Sequence, residues 1–417
     1  MRVNKRKIAT LGAIAAISSL ALAGCSSGNS GEPAPDNDAQ NGADFSGQIT
    51  VWVDADRAGV LEDAADAFTQ DTGVKVTLVQ KEFGEIRDQF VQQVPTGEGP
   101  DIAVGAHDWL GVLATNGVVA PVELGDRKGD FEQVAVDAWS YDGQVYGVPY
   151  AIENIALLRN TDLVAEAATD FDDMVAKGKA SGTDYAFLVG LDPEEADPYH
   201  LYPFQTSFGA PVFGSGPDGY DATDLQIGND GGTAFAEWLG EQGKAGVFNT
   251  NITGDLAKEN FLAGKSPYFL TGPWNAPDAV AAGLSIAVDP IPSAGGDDAQ
   301  PFAGVQGFFL SAESENRLAA NEFMVNYIGS EEVQKALYEV GGRAPALTSA
   351  FEAAVASDPI TAGFGEVGAN AVPMPSIPEM GAVWEYWGVT EAAIINGASD
   401  PAGLWAKMTA DIQAAIE

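Results

Sequence analysis

From Ile49 to Val79 the chain runs strand, helix, strand, with links too short for any arrangement but two strands laid side by side. Ile49 to Val53 (ITVWV) is apolar and β-rich throughout, the pattern of a strand buried on both faces. Leu61 to Gln70 places Leu61, Ala64, Ala65 and Phe68 on one helical stripe with acids opposite. Asp71-Thr72-Gly73 ends it, the glycine supplying a left-handed cap. Val74, Val76 and Leu78 then alternate as a second strand. Two strands joined in this way form a right-handed, parallel βαβ unit. A further helix near Gly84 to Val94 leads through TGEGPD to a third strand, Ile102 to Val104. The beginning is thus an open α/β sheet, which takes its ligands beyond the carboxyl ends of its strands.

Those ends carry unusual residues. The first strand runs into Asp54-Ala55-Asp56-Arg57, and the third into Ala106-His107-Asp108-Trp109. A later apolar run, Tyr268 to Leu270, runs into Thr271-Gly272-Pro273-Trp274, an indole on a sharp turn. Loop packing accounts for any one of these. Three together, at the place where this architecture holds ligands, point to a binding site. Flat aromatics stack on the C–H faces of pyranose sugars, and carboxylates and guanidinium forks match pairs of adjacent hydroxyls. A lipid site has no use for three charges. An amino-acid site pairs opposite charges with both ligand termini.

Later segments describe a second lobe. Asn154 to Arg159 reads as a strand, Thr161 to Lys179 as a helix and Tyr185 to Val189 as a strand. Helices are expected at Asp230 to Gly243 and Thr253 to Ala263. Gly304 to Leu310 is a strand, and helices follow at Asn316 to Ile328, Glu331 to Val340 and from about Met380. GSGPDG (214–219) and PSAGGDDAQP (292–301) read as surface turns. Trp52, Trp139 and Trp238 are read as core.

The amino terminus reads as an export signal. Arg2, Lys5, Arg6 and Lys7 precede a short apolar stretch, Ile8 to Leu22, and Leu22-Ala23-Gly24-Cys25 resembles the lipobox of bacterial lipoproteins. Cys25, the only cysteine, would then carry the lipid, with 1–24 removed. Residues 26 to 44 hold no large apolar side chain and read as a flexible tether, reaching on the order of 25 Å. No later run of 18 apolar residues occurs, so the body is read as soluble. With one cysteine there is neither a disulfide framework nor a thiolate zinc site. Sixty acids against 20 bases, net −40, make nucleic acid and anionic lipid poor partners.

Other chemistries lack their residues. His107 and His200 are the only histidines, and neither HExxH nor GxSxG occurs. Gly264-Lys265-Ser266 resembles the end of a phosphate loop, but the first glycine would be residue 259, a Glu, so it reads as a helix-ending turn. DNDAQNGAD lacks the twelfth-position glutamate of a calcium loop. No cofactor or metal is expected.

Longer motifs carry a resemblance. ITVWVDADR...FTQDTGVKVTLV, TGEGPDIAVGAHD (96–108), VPYAIENIALLRN, GPW, PFAGVQGF, GGRAPAL and MPSIPEMGAVW fall in the order found in extracytoplasmic solute-binding proteins of carbohydrate ABC importers. The chain is most similar to the maltose/maltodextrin-binding proteins over about 45 to 417. The resemblance implies two α/β lobes joined by hinge strands, with ligand in the cleft between them and a helical C-terminal part. It implies a first lobe of 45–151 and 306–349 and a second of 152–305 and 350–417. Asp56 and Arg57 match the acid and base that contact sugar hydroxyls, and Asp108 matches a hydroxyl-binding aspartate. Glu153 matches the glutamate after the first crossing, Asp197 and Tyr199 an acid and a stacking tyrosine, and Trp274 and Trp384 the two stacking tryptophans.

Departures from the pattern occur. Gly105 stands where the family has a tryptophan before A-H-D, and Trp109 follows where it has an arginine, so Trp109 is included as a displaced ligand aromatic. Glu385 and Gly388 replace a tyrosine and an arginine, and Trp387 is extra. The implied function is capture of an oligosaccharide, a malto-oligosaccharide first, for a membrane permease with its cytoplasmic ATPase. The implied form is a monomeric lipoprotein outside the cell membrane. A different ligand such as trehalose, an exported glycosidase and a surface adhesin are the rival readings.

Overall fold

The computed structural model describes residues 47–216 and 219–417. The signal (1–24), Cys25 and the tether to residue 44 lie outside the described residues. The first strand, Gln48–Val53, pairs in parallel with Lys75–Gln80 and with Ile102–Ala106. The helix between the first two, Ala55–Thr72, starts earlier than its apolar stripe suggests. Asp54 accepts from the backbone N–H groups of Asp56 (3.0 Å) and Arg57 (3.3 Å), a side-chain cap that extends the helix back to the strand. Asp56 and Arg57 therefore sit on the first helical turn rather than on a loop.

The sheet continues through two long strands laid antiparallel, Gly147–Asn154 and Phe302–Ser311, and ends at Ala344–Pro345. A second sheet orders Ile286–Asp289, Ala156–Asn160, Tyr268–Thr271 and Leu188–Val189. Its strands alternate in the pleat: Leu157, Tyr268 and Leu270 face one apolar cluster, and Ala156, Leu158 and Phe269 face another. Around the first sheet a separate cluster gathers residues from Ile49 to Ala151 and from Val305 to Ala350. Two sheets, each with its own core, make a two-lobe α/β architecture, closed at the C-terminus by the helices Met380–Ile395 and Pro401–Ile416.

Three expectations change. Asn154 to Arg159 is not one strand: Asn154 ends the first sheet's strand and Ala156 begins the second sheet's, with the chain crossing between them at Ile155. The helix expected over 161–179 is confined to Phe171–Ala180. Asp170 caps its first turn, accepting from the Asp173 N–H at 2.8 Å, and Arg159 holds the preceding loop through the Val164 and Ala165 carbonyls (3.1 and 2.8 Å). Only Leu188–Val189 of the run 185–189 pairs with a neighbour. Trp52 and Trp139 are buried, and Trp238 packs half-buried against the second core.

Candidate functional site

The helix Ala55–Thr72 delivers two different groups. Asp56 is exposed on the first turn. Arg57 is buried, and its guanidinium donates to Asp54 and to the Tyr150 hydroxyl. Burial alone would make it less basic, but Tyr150 and Asp54 more than reverse that, so it stays charged. The guanidinium also lies 5.1 Å over the Phe83 ring, and Phe83 lies 5.1 Å from Trp109. Trp109 is only 8 % exposed and belongs to the first core. It occupies the room beside Gly105, where a Cβ would come 2.6 Å from its ring. It thus backs the layer that holds Arg57.

Asp108 follows the third strand on a short helical turn and is almost fully buried. Its Oδ2 accepts from the Trp384 indole at 3.2 Å, although the two residues are 276 positions apart. Its Oδ1 has no partner among the described residues. Burial pushes its carboxyl up to about 7, against the opposing pull of Arg87 and the Trp384 hydrogen bond. Trp384 is half-buried and stacks on the buried Trp387, ring centres 5.4 Å apart at 21°. Trp387 is therefore a core support for Trp384.

Glu153 lies on the first crossing strand, buried. Gln306, from the second crossing strand, donates to one of its oxygens at 2.8 Å, and Arg343 donates to the other at 2.6 Å. Arg343 follows the helix Glu331–Gly341, whose end turns through Gly342 at φ 65°, a conformation that suits glycine. Its guanidinium lies 5.0 Å over the ring of Trp274, from the second sheet. Trp274 sits on a short turn, Pro273–Asn275, directly after Tyr268–Thr271, and is half-buried. A Cβ on Gly272 would fall 1.9 Å from that indole, so the ring keeps its place only over a glycine. Arg343 was not legible as a site residue.

Asp197 caps the helix Pro198–Thr206. Its Oδ1 accepts the His200 backbone N–H at 3.1 Å, and its Oδ2 meets the His200 Nδ1 at 2.7 Å. Tyr199, next on that helix, buries a hydroxyl with no partner among the described residues. Burial raises that phenol well above its ordinary range, and Glu153, Arg343, Asp197 and Asp108 all lie within its electrostatic reach. Charged groups of both lobes therefore bear on one phenol. Beside it is a cavity of about 430 Å³ whose walls include Asp56, Asp192, Asp197, His200, Asp255 and Trp274.

Of the nine residues expected to hold ligand, Asp56, Asp197 and Trp274 line that cavity. Asp108, Glu153, Tyr199 and Trp384 are joined to this assembly by the contacts above, with Arg57 behind Tyr150. Trp109 is the one packed into a core. His107 is structural: Nδ1 accepts the Val305 N–H and Nε2 donates to the Met374 carbonyl, both at 3.1 Å. Burial lowers its pKa to about 4, so it stays neutral. Among the described residues no cluster of three or more His, Cys, Asp or Glu could hold a metal, and no helix is long and apolar enough to cross a membrane.

Known proteins share the sequence and the fold. The family model described as bacterial extracellular solute-binding protein matches residues 63–363. The maltodextrin-binding protein of Bacillus subtilis is 30 % identical over 371 residues, covering 84 % of this chain and 85 % of its own. The galactooligosaccharide-binding protein of the same organism is 27 % identical over 396 residues, covering 92 % and 91 %. The Thermus thermophilus maltotriose binding protein, bound with maltotriose, superposes with a TM-score of 0.79 at 30 % identity, covering 88 % of this chain and 100 % of that one. The chain belongs to the bacterial extracellular solute-binding protein family.

Proposed function

We propose that the chain captures an oligosaccharide, a malto-oligosaccharide first, in the cleft between its lobes. It then passes the sugar unaltered to the transmembrane subunits of an ABC importer driven by a cytoplasmic ATPase. The observation that carries this reading is the convergence of Asp56, Asp197 and Trp274 on one cavity, with Asp108 joined to Trp384 and Glu153 to Arg343 beside it. Indoles supply the stacking faces and the carboxylates accept sugar hydroxyls. In this reading the first lobe is 45–151 with 306–349 and the second is 152–305 with 350–417. The ligand favours the closed form because it touches both lobes. The mature chain is a monomeric lipoprotein held at the outer face of the cell membrane through Cys25.

The galactooligosaccharide-binding relative supports a second reading, a galactosyl oligosaccharide on the same platforms. Calorimetric titration with maltotriose, a galactosyl trisaccharide and trehalose separates the three. Maltotriose is expected to bind best with one site per chain, and recovery of intact sugar afterwards argues against a hydrolase. Failure of all three to bind overturns the proposal.

Two further outcomes are expected. Gly272→Ala puts a methyl group where the Trp274 ring now lies. Because the ring must leave its place, maltotriose affinity should fall by about tenfold in the same titration.

The second concerns pH. Sugar hydroxyls donating to Asp108 favour its ionised form, so binding lowers its pKa from about 7. Below that pH binding then releases a proton, and affinity weakens as pH falls. Stability runs the other way. A carboxyl raised in the folded state stabilises the unliganded fold below its unfolded value of about 3.9, and that contribution is lost as pH rises through about 7. Titrations at pH 6 in buffers of different ionisation enthalpy should reveal the proton, and Asp108→Asn should abolish it.

A further inference from the structure

We propose that His200, oriented by Asp197, is a side chain through which the second lobe hydrogen-bonds the ligand beside Trp274, an assignment resting on the oligosaccharide reading above. Both oxygens of Asp197 are already engaged: one receives the His200 backbone N–H as a helix cap (3.1 Å), the other the imidazole Nδ1 (2.7 Å). The carboxylate therefore acts as an orienting group. With Nδ1 turned to the carboxylate, Nε2 is the ring nitrogen left to accept from a sugar hydroxyl. Nε2 has no partner among the described residues, and it is not one of the sealed polar atoms that lack a partner, so solvent reaches it. The same residue lines the 430 Å³ cavity with Trp274.

The two rings also stand in a useful relation. The imidazole is perpendicular to the Trp274 indole, at 89°, with ring centres 6.0 Å apart. A pyranose stacked on the indole brings its rim of hydroxyls to the imidazole edge, where Nε2 accepts one of them. Three other polar groups on this wall are differently committed. Asn275 donates to Thr271 at 2.8 Å, and Lys258 is paired with Asp278. Asp192 accepts the backbone N–H groups of Glu194 and Glu195, at 2.8 and 3.0 Å.

The test uses maltotriose and the full chain. His200→Phe keeps the ring and removes the acceptor, and should weaken binding about five- to tenfold. His200→Gln, which restores an acceptor on a side chain of similar reach, should recover most of that loss. In the wild type, the ¹⁵N resonance of the His200 Nε2 should move on adding maltotriose, which a residue that merely packs would not show. Unchanged affinity in His200→Phe, with a stationary Nε2 resonance, overturns the assignment while leaving the oligosaccharide reading intact. A wild type that does not bind maltotriose overturns the malto-oligosaccharide reading and this assignment with it.

Discussion

Arg343→Leu is expected to lower the free energy of unfolding by about 3–5 kcal/mol, measured by denaturant titration of the unliganded protein. The reason is what the substitution leaves behind. Glu153 is 7 % exposed at its side chain and Arg343 12 %, so the pair is shielded from water, and their contact at 2.6 Å is the ion pair Glu153 makes among the described residues. Without it the carboxylate keeps only the neutral Gln306 amide. A buried charge in that state costs far more than the pair contributes as a pair. The double substitution Glu153→Gln with Arg343→Leu should therefore lose less than Arg343→Leu alone, a coupling that a double-mutant cycle reads directly. A loss below about 1 kcal/mol would mean the carboxylate finds another partner. The substitution also removes the guanidinium from the face of Trp274, so one side chain joins the first lobe's hinge strand to the second lobe's platform.

Trp274→Ala is expected to cost about 2–4 kcal/mol of maltotriose binding, the scale of a central aromatic anchor. Little of that should appear as lost stability, since the indole is only half-buried at the edge of the second core, with Arg343 and His200 beside its ring. Calorimetry on wild type and variant checks it. Equal affinities would mean that the indole only packs its own turn.

The first βαβ unit was legible because its signals are local. An apolar strand, a one-sided helix and a glycine cap all lie within about thirty residues, and the end of the first strand follows from that order. Helix starts were less legible. The Asp54 cap moved one boundary back into a segment that reads as loop, and the Arg159 hydrogen bonds kept another stretch from becoming helix. The site itself is built from contacts that no pattern encodes, such as Asp108 with Trp384. Strand ends pointed to Asp56, Arg57, Asp108, Trp109 and Trp274, and the family resemblance added Glu153, Asp197, Tyr199 and Trp384.

Arg343 and His200 were missed for a related reason. Arg343 lies in GGRAPAL and His200 directly follows Tyr199, yet the role of each depends on a partner elsewhere in the fold or on which ring nitrogen is engaged. One signal was available: in a chain with 20 bases against 60 acids, an arginine set among small apolar residues in GGRAPAL calls for a buried acid.

The close fit between residues 105 and 109 bears on how such a chain can diverge. A bulky residue at 105 would collide with the Trp109 ring, and with Phe309 at 2.8 Å, while a smaller side chain at 109 would leave a hollow behind Phe83. Neither position can drift freely while the other is held. Moving the indole from one position to the other would therefore pass through an overfull or a hollow intermediate, unless both residues changed together. The two positions form one steric unit.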